Sequence, residues 1–552
     1  MLIPLFSSMI LIFGSLPQQA QAPAASVPLE RNLRVAGTVV DGMSGQPLAR
    51  AQVFLFLQSV RDFQLTTVTA EGGHFSFEGL VPGKYTLSAQ RKGYLPQVYK
   101  QHGQFSTAII VGADLDTGNL RFALLPEAAI SGRVLDEMNE PVRSAQVLLF
   151  REGLSLGTRG TRQENGTSTD DRGQFRLAHL AAGTYFVGVS ARPWYAQPVT
   201  HQRQISGDSY GKITETVIAN GEPDLDVLYP VTFFPNTTGF SGAAPITVHA
   251  GDAETADFTL HPVPALHMTI RTGSPGESEG IWVEVSQPLI GGVQNQMPVS
   301  SQQTAPGVFE ISGLPTGRLN VRLGTSKDGN MVYRSQNVQL AGDLDLNAAE
   351  AMAFASVSGS FKTDDGSPLP QPAQLQLRNK ASGEILFMHA DGAKESKFRE
   401  LDLAPGTYDV AVVSPGAAAL KRLTATGAKI SGNTLEIEAG QHAELNVVIS
   451  RGTSSISGVA LKDGKPIDGV LVIMVPEVPE HNLVLFRRDQ SDSDGSFNLN
   501  GILPGKYTLV AIENGWELEW FKPGVIQKYL AGGEEVRVTP DSKQTVNVNV
   551  QP

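Results

Sequence analysis

One cluster of residues recurs five times along this chain and constrains its fold more than any other feature. Each copy has a phenylalanine, an apolar residue five positions later, a glycine eight positions later, and an aromatic residue or leucine ten positions later. A fixed spacing at a period of roughly a hundred residues indicates a tandem array of one small domain. The copies are Phe75/Leu80/Gly83/Tyr85, Phe175/Leu180/Gly183/Tyr185, Phe309/Leu314/Gly317/Leu319, Phe398/Leu403/Gly406/Tyr408 and Phe497/Ile502/Gly505/Tyr507.

Short strands and turns surround each copy. Most units open with an apolar–x–Gly–x–apolar segment such as 35–39, and an alternating segment such as 51–55 follows it. Alternation with a period of two is typical of a half-buried strand. Within the cluster we expect the phenylalanine to point into the core and the corner glycine, such as Gly83, to adopt a positive φ. The tyrosine can hydrogen-bond back to that corner, as in Greek-key sandwiches.

These patterns predict an all-β chain, a tandem array of five Ig-like or prealbumin-like Greek-key β-sandwiches. The joins between units are short, contain proline and lack Gly/Ser-rich linkers, so they predict a semi-rigid rod. The predicted segments are a signal peptide at 1–22, unit one at 33–126, unit two at 127–262 with an insertion around 193–245, a degenerate unit three at 263–352, unit four at 353–452 and unit five at 453–552.

Composition excludes several classes of protein. A net charge of −12 argues against a nucleic-acid binder, which needs a basic stripe to neutralise phosphates. The absence of cysteine excludes disulfides and thiolate chemistry. Residues 2–16 form an apolar run that precedes the Ala20-Gln21-Ala22 cleavage pattern, so we expect export to the periplasm, the outer surface or the medium. No other apolar run reaches transmembrane length, so no transmembrane span is expected.

The pattern Gly-x-Val…Pro-Leu…Ala-x-Val-x-Leu, followed by Gly-x-Phe-x-Phe-x-x-Leu-x-Pro-Gly-x-Tyr, resembles the carboxypeptidase regulatory-like domain. That resemblance implies a transthyretin-like, carbohydrate-binding-like sandwich that is a non-catalytic appendage in its namesake enzymes. Units one, two and five match well, unit four matches in part with Ser396 in place of a glycine, and unit three is weak at its first strand. Residues 229–238 also resemble a loop of long exported bacterial members of the family.

No motif for catalysis or metal binding has the required context. None of the ten histidines has Glu at the third following position, which a zinc carboxypeptidase needs. Gly-x-Ser-x-Gly occurs at 207–211 and 276–280, but neither copy has the apolar strand and helix of a nucleophile elbow. Asp489, Asp492 and Asp494 are interpreted as a plain turn, with calcium binding as the open alternative. We therefore predict no enzyme activity, no cofactor and no metal.

A buried Lys–Asn isopeptide, known from a related sandwich family, would need a lysine on the first strand of a unit. Only Lys462 of unit five lies near such a position. A buried lysine without an acid is costly, so the sequence disfavours this bond.

Aromatic residues in the loops after the corner tyrosines are the candidate binding residues. Aromatic faces stack on sugar C–H faces, so these loops favour carbohydrate binding. The other interpretation is that they anchor a loop on its own sandwich or on the next unit. The predicted function is a non-catalytic exported binding or adhesive protein for an extracellular or envelope glycan; the alternative is a spacer or protein-interaction scaffold of the cell envelope. The candidates are Tyr94, Trp194, Tyr195, Trp516 and Trp520.

Overall fold

The structure is a computed structural model. It describes residues 33–60, 62–112, 115–155, 157–207, 213–272, 281–327, 330–348, 351–369, 373–381, 385–390, 397–413, 418–479, 485–522 and 524–552. Within these ranges nearly all regular structure is strand, apart from one helical turn, α1 (Gln527–Leu530), and short 3₁₀ turns. The prediction of an all-β tandem array is confirmed. The predicted signal peptide and Ser396 lie outside the described residues.

Unit one shows the pattern that the other units vary. One sheet has the order β4-β1-β8, and the other has the order β3-β2-β5 with β6 and β7 also paired to β5. Their facing sides share one apolar core that includes Phe75, Phe122 and Tyr85. The strands are β1 (Leu33–Asp41), β2 (Gln52–Leu57), β3 (Gln64–Val68), β4 (His74–Leu80), β5 (Gly83–Gln90), β6 (Gln97–Val98), β7 (Ile109–Val111) and β8 (Leu120–Leu124).

Units two and three repeat the two-sheet plan. In unit two the sheets are β12-β9-β19 and β11-β10-β13-β17, and in unit three they are β25-β26-β22-β29 and β24-β23-β27-β28-β30. The strands are β9 (Ala128–Leu135), β10 (Gln146–Ser155), β11 (Thr158–Ser168), β12 (Gln174–Leu180), β13 (Gly183–Ser190), β14 (Thr200–Gly207), β15 (Ile213–Asn220), β16 (Val227–Leu228), β17 (Thr232–Phe233), β18 (Ile246–Val248), β19 (Ala253–Thr255), β20 (Phe258–Thr259), β21 (Val263–Pro264), β22 (Leu266–Arg271), β23 (Ile281–Pro288), β24 (Gln294–Gln296), β25 (Ser300–Ala305), β26 (Val308–Leu314), β27 (Gly317–Lys327), β28 (Asn330–Leu340), β29 (Leu344–Asn347) and β30 (Met352–Ala353).

Units four and five follow the same plan. Unit four has the sheets β34-β31-β39-β36 and β33-β32-β35-β38-β37, and in unit five β48 pairs with both β40 and β45 and so joins the two sheets. The strands are β31 (Ala355–Thr363), β32 (Gln374–Asn379), β33 (Ile385–His389), β34 (Lys397–Leu403), β35 (Gly406–Val413), β36 (Ala418–Thr426), β37 (Lys429–Ser431), β38 (Thr434–Ile437), β39 (His442–Arg451), β40 (Ser454–Lys462), β41 (Lys465–Pro466), β42 (Leu471–Pro476), β43 (Arg487–Gln490), β44 (Ser496–Ile502), β45 (Gly505–Ile512), β46 (Glu534–Val538), β47 (Lys543–Thr545) and β48 (Val548–Gln551).

The glycine in the opening strand has a steric cause. In every unit the opening strand pairs antiparallel with the phenylalanine strand and parallel with the last part of the unit. A Cβ on Gly132 would lie 1.9 Å from the carbonyl oxygen of Ala256, and one on Gly458 would lie 1.9 Å from that of Val546. Real Cβ atoms do not approach an oxygen so closely, so at these two positions only glycine lets the last strand pair in this way. In unit three Ile270 takes the place opposite the phenylalanine.

The predicted tyrosine corner is present. The hydroxyl of Tyr85 donates to the carbonyl of Val81 at 2.9 Å, and that of Tyr507 donates to the carbonyl of Leu503 at 2.9 Å. Tyr185 and Tyr408 make the equivalent bond, whereas unit three has the fully buried Leu319 at this position. Each bond ties the start of one strand to the turn before it.

The expected positive φ at the corner glycine is wrong for units one, two and five. Gly317 and Gly406 have positive φ, with values of 116° and 154°, but Gly83 does not. The reason for glycine at Gly83 is space, because a Cβ there would lie 3.0 Å from Cδ1 of Leu57.

The prediction of an extended rod is also wrong. Residues of unit five contact residues of unit one directly, as in the Lys100–Asp468 ion pair at 2.7 Å. The chain therefore folds back, so that its last unit meets its first.

We predict that Tyr507→Phe destabilises unit five by about 1 kcal/mol, because it removes one hydrogen bond from a packed corner and leaves a carbonyl without its partner. Urea unfolding of the full chain, followed by the fluorescence of Trp516 and Trp520, measures the change. Tyr333→Phe is the control, since no hydrogen bond of its hydroxyl is present among the described residues. Equal midpoints for Tyr507→Phe and wild type would contradict the prediction.

Candidate functional site

Trp194 is the most exposed of the aromatic candidates. Trp194 is 82% exposed and lies in the loop that follows β13. Its ring meets that of Tyr195 edge-on, with the centroids 5.7 Å apart and an angle of 89° between the planes. An exposed ring of this size leaves a large apolar face open to a ligand.

Hydrogen bonds hold Tyr195 in place. Its hydroxyl donates to the carboxylate of Glu137, and the hydroxyl of Tyr229 donates to the other oxygen of that carboxylate at 2.9 Å. Burial, together with the hydrogen bond to Glu137, raises the pKa of Tyr195 to about 12. Burial opposes ionisation of Glu137, but the two tyrosine hydroxyls outweigh it, so the pKa of Glu137 lies below its usual value. The carboxylate therefore stays ionised and fixes both rings.

Tyr94 lies at the end of unit one, beside the join to unit two. Its hydroxyl donates to Asp41 at 2.8 Å, the guanidinium of Arg91 lies 5.2 Å from its ring, and its backbone forms an isolated β-bridge with Pro126. A backbone hydrogen bond from Ser44, supported by Tyr94, lowers the pKa of Asp41 to about 2. Tyr94 is thus engaged at a junction.

Trp516 lies between units five and one. Its indole N–H donates to the carbonyl of Gly469 at 3.0 Å, and its ring stacks on His102 with the centroids 4.8 Å apart and the planes 5° apart. Phe105 of unit one also contacts the ring, at 5.6 Å. One face of the indole is therefore covered by unit one.

Trp520 is buried. It is 2% exposed and packs against Phe486, with the guanidinium of Arg488 at 4.6 Å. The tip of the β10–β11 hairpin of unit two covers it, since a Cβ on Gly157 would lie 2.6 Å from the indole ring. In this arrangement the ring has no open face for a ligand.

The structure does not bring the five candidates into one site. Trp516 and Trp520 belong to one apolar cluster, while Tyr94 packs against the core of unit one and Trp194 is exposed to solvent. Tyr94, Trp516 and Trp520 are instead in packing contacts, as expected of residues that anchor a loop on its own sandwich or on another unit. A ligand-binding role for any of the five stays a prediction.

Sequence reasoning missed the contact between units one and five. The buried carboxylate of Asp492 pairs with Lys84 at 2.5 Å and accepts the backbone N–H of Ala108 at 3.1 Å. The side chain of Gln490 donates to the carbonyl of Lys100 at 2.6 Å. Burial raises the pKa of Asp492, and Lys84 opposes that shift. In the sequence Asp492 looks like an ordinary turn residue, so no local signal identified its partner.

Unit two also reaches unit five through its long hairpin. The backbone N–H of Arg159 donates to the carboxylate of Glu519 at 3.0 Å, and that of Phe521 donates to the carbonyl of Gly157 at 3.1 Å. The side chain of Leu154 packs on the same cluster as Trp520. Unit five therefore contacts both of the first two units.

A partly buried histidine joins units two and three. His267 lies between Asp226, 2.5 Å from its Nε2, and Glu310, 2.9 Å from its Nδ1. Burial disfavours the charged ring, but both carboxylates favour it more strongly, so the pKa of His267 is raised. A doubly protonated imidazole donates to both acids and so links the two units.

The other motifs of the sequence make structural contacts or lie outside the described residues. The described residues contain no group of three or more His, Cys, Asp or Glu side chains that could hold a metal ion. Asp494 accepts the backbone N–H of Ser496 at 2.9 Å, as a turn residue does, whereas Asp489 lies in β43 and accepts that of Asn498 at 2.8 Å. The ammonium of Lys462 pairs with Glu513 at 2.7 Å. The serines of both Gly-x-Ser-x-Gly motifs lie outside the described residues.

The fold and these contacts define a tandem β-sandwich protein with closely packed units. Residues 34–120 and 129–261 match the carboxypeptidase regulatory-like domain, so this is a tandem-repeat protein that carries domains of that family. No curated protein matches the sequence. No helix among the described residues is long and apolar enough to cross a membrane.

Several solved structures are similar to this chain. A streptococcal ancillary pilin is 13% identical and has a TM-score of 0.20, with 52% of this chain and 99% of the pilin covered. The minor pilin GBS52 of Streptococcus agalactiae is 12% identical with a TM-score of 0.21, covering 42% and 96%. The Bacillus anthracis TIE protein is 12% identical with a TM-score of 0.15, covering 84% and 72%. These TM-scores are low, so the fold of this chain is assigned from its own strand pairing.

We predict that the double variant Lys84→Ala/Trp516→Ala separates unit five from unit one. It removes the cation that pairs with Asp492 and the ring that stacks on His102. The radius of gyration from small-angle X-ray scattering should increase by at least about 3 Å, because the chain becomes less compact. Trp282→Ala/Lys506→Ala is the control, since Trp282 is an exposed residue of unit three and Lys506 pairs with Glu477 within unit five. An unchanged radius of gyration in the first variant would refute the prediction.

We predict that stability falls as the pH rises above 6.5. His267 has a raised pKa in the folded chain, so its contribution is fully present below the unfolded value of 6.5 and is lost as the pH passes the folded value. The urea midpoint of the wild type should be lower at pH 8.5 than at pH 6.0.

The same comparison with His267→Gln should show a smaller difference between the two pH values. His249→Gln, a change at an exposed histidine paired with Asp252, should retain the wild-type difference. The prediction fails if His267→Gln and wild type respond to pH alike.

Proposed function

We propose that this protein is an exported, non-catalytic binding protein whose ligand is a carbohydrate, and that Trp194 and Tyr195 contact the sugar. The observation that supports this most is the 82% exposure of Trp194 beside a tyrosine held by Glu137. The corresponding residues of units one and five are engaged in packing, so Trp194 is the candidate with an open ring face.

The chemistry of the pair suits a sugar ring. The apolar C–H face of a pyranose stacks on an indole, and the perpendicular Tyr195 supplies an edge beside it. Because Glu137 already fixes Tyr195, little side-chain entropy is lost when the ligand binds there. The net charge of −12 disfavours polyanions, so a neutral glycan is the favoured class.

A second candidate function is a protein-interaction scaffold, and an exposed sheet edge favours it. Strand β33 ends its sheet, and Ile385 and Phe387 on it are 45% and 47% exposed. An edge strand with unpaired backbone groups and apolar side chains can accept a strand from a partner protein.

We predict that Trp194→Ala weakens binding to a neutral polysaccharide about tenfold, because it removes the stacking surface. Pull-down with insoluble cellulose, chitin, starch and β-1,3-glucan identifies a ligand, and titration with its soluble oligosaccharide measures the affinity. Trp282→Ala, at a tryptophan that is 47% exposed on unit three, is the matched control.

The reducing ends released from the polysaccharide should not increase, since a binding protein does not cleave its ligand. Retention of every polysaccharide at the level of the bare matrix would refute the carbohydrate proposal. Crosslinking to an envelope protein that Phe387→Glu abolishes would then favour the scaffold.

A further inference from the structure

A cleft lies between units two and three. Its volume is about 550 Å³, within the range of small-ligand pockets. Unit two contributes the segment around Tyr229 and the loop after β13, and unit three contributes β24 and the end of β23. The cleft therefore exists only where the two units meet.

We propose that this cleft is the main binding site for the glycan and that it selects a neutral sugar chain. This inference rests on the proposed carbohydrate function and adds to it the place and the ligand class. It assigns the specific polar contacts to the cleft, whereas Trp194 supplies a stacking surface outside it.

The lining of the cleft is rich in side-chain amides. An amide offers a donor and an acceptor without carrying a charge, and a sugar hydroxyl needs both. The Oε1 atom of Gln294 already accepts a hydrogen bond from Ser286 at 3.2 Å, so its position is fixed. The amide residues are Gln146, Gln287, Gln294, Asn295 and Gln296.

Gln287 provides an independent sign of a missing ligand. Its Oε1 atom is buried and has no hydrogen-bond partner among the described residues. A buried carbonyl oxygen without a partner is costly and uncommon in folded proteins. Gln287 lines the cleft, so a rotation of its amide toward the cleft would let a ligand hydroxyl donate to this oxygen.

Charge in the cleft favours a neutral ligand over an acidic one. Among the lining residues Arg192 carries a positive charge and Asp226 carries a negative one. The carboxylate of Asp226 is held by His267, so it is compensated from within the protein. A single arginine beside an acid does not form the cationic surface that a polyanion requires.

The cleft and the exposed aromatic pair share one loop. Arg192 and Pro198 line the cleft, and Trp194 and Tyr195 lie between them in the sequence. Tyr229, which lines the cleft, shares the carboxylate of Glu137 with Tyr195. We therefore expect one oligosaccharide to occupy the cleft and reach the tryptophan.

The test is isothermal titration calorimetry of the full chain with maltohexaose, cellohexaose, laminarihexaose and chitohexaose, and with an anionic alginate hexamer. Gln287→Met removes the unpaired carbonyl at nearly constant volume, and the expected result is about tenfold weaker binding of the neutral hexamer that binds the wild type. Gln336→Met is the matched control. The Oε1 atom of Gln336 is also buried without a partner among the described residues, but Gln336 does not line the cleft.

The outcomes separate the two levels of the proposal. If a neutral hexamer binds wild type and Trp194→Ala weakens it, but Gln287→Met and Gln336→Met both bind as wild type does, the cleft is refuted and the carbohydrate function stands. If no hexamer binds wild type, both are refuted. Tighter binding of the alginate hexamer would refute the neutral class. The melting temperature of Gln287→Met shows that the variant is folded, because removing an unpaired buried acceptor should not lower it.

Discussion

The parallel pairing of the first and last strands of each unit is the contact on which the rest of the structure depends. In units one, two, four and five it needs a glycine in the opening strand; a side chain at Gly37, for example, would meet the carbonyl oxygen of Leu120 at 2.1 Å. The phenylalanine of the cluster lies directly opposite this glycine, as Phe75 lies opposite Gly37. In unit four a Cβ on Gly359 would also lie 2.6 Å from the ring of Phe398. The glycine and the phenylalanine thus act together in closing one sheet.

The same pairing sets the direction of the chain. Because the first and last strands run parallel, the chain enters a unit at one end of the sheet and leaves at the other. Such units, joined by short proline-containing segments, would form a rod if nothing else acted on them. The contacts of Asp492 with Lys84 and of Trp516 with His102 return unit five to unit one instead. Contacts between distant units, rather than the linkers, therefore determine the overall arrangement.

The sequence predicts those features of each unit that depend on residues close together in the chain. The buried Phe75 and the corner bond of Tyr85 follow from a pattern about ten residues long, and both are present. It does not predict contacts between units, because these join residues that are hundreds of positions apart and have no shared pattern. The residues around Asp492 are typical of a turn, and only the structure shows that Lys84 lies beside its carboxylate. The cleft amides were missed for the same reason, since β23 and the loop after β13 meet only across a boundary between units.

One repeated position shows how a constant fold acquires different uses. Nine residues after the corner tyrosine, Tyr94 bonds to Asp41 of its own unit and its backbone bridges to Pro126 at the end of that unit, whereas Trp516 stacks on the first unit. Trp194 occupies the same place in unit two. The insertion that follows it supplies Tyr229, which donates to Glu137, and Glu137 in turn accepts from Tyr195, whose ring meets that of Trp194 edge-on. The loop is therefore held without using the tryptophan. A ring that is not needed for packing is available for another role, and the proposed stacking on a sugar is such a role.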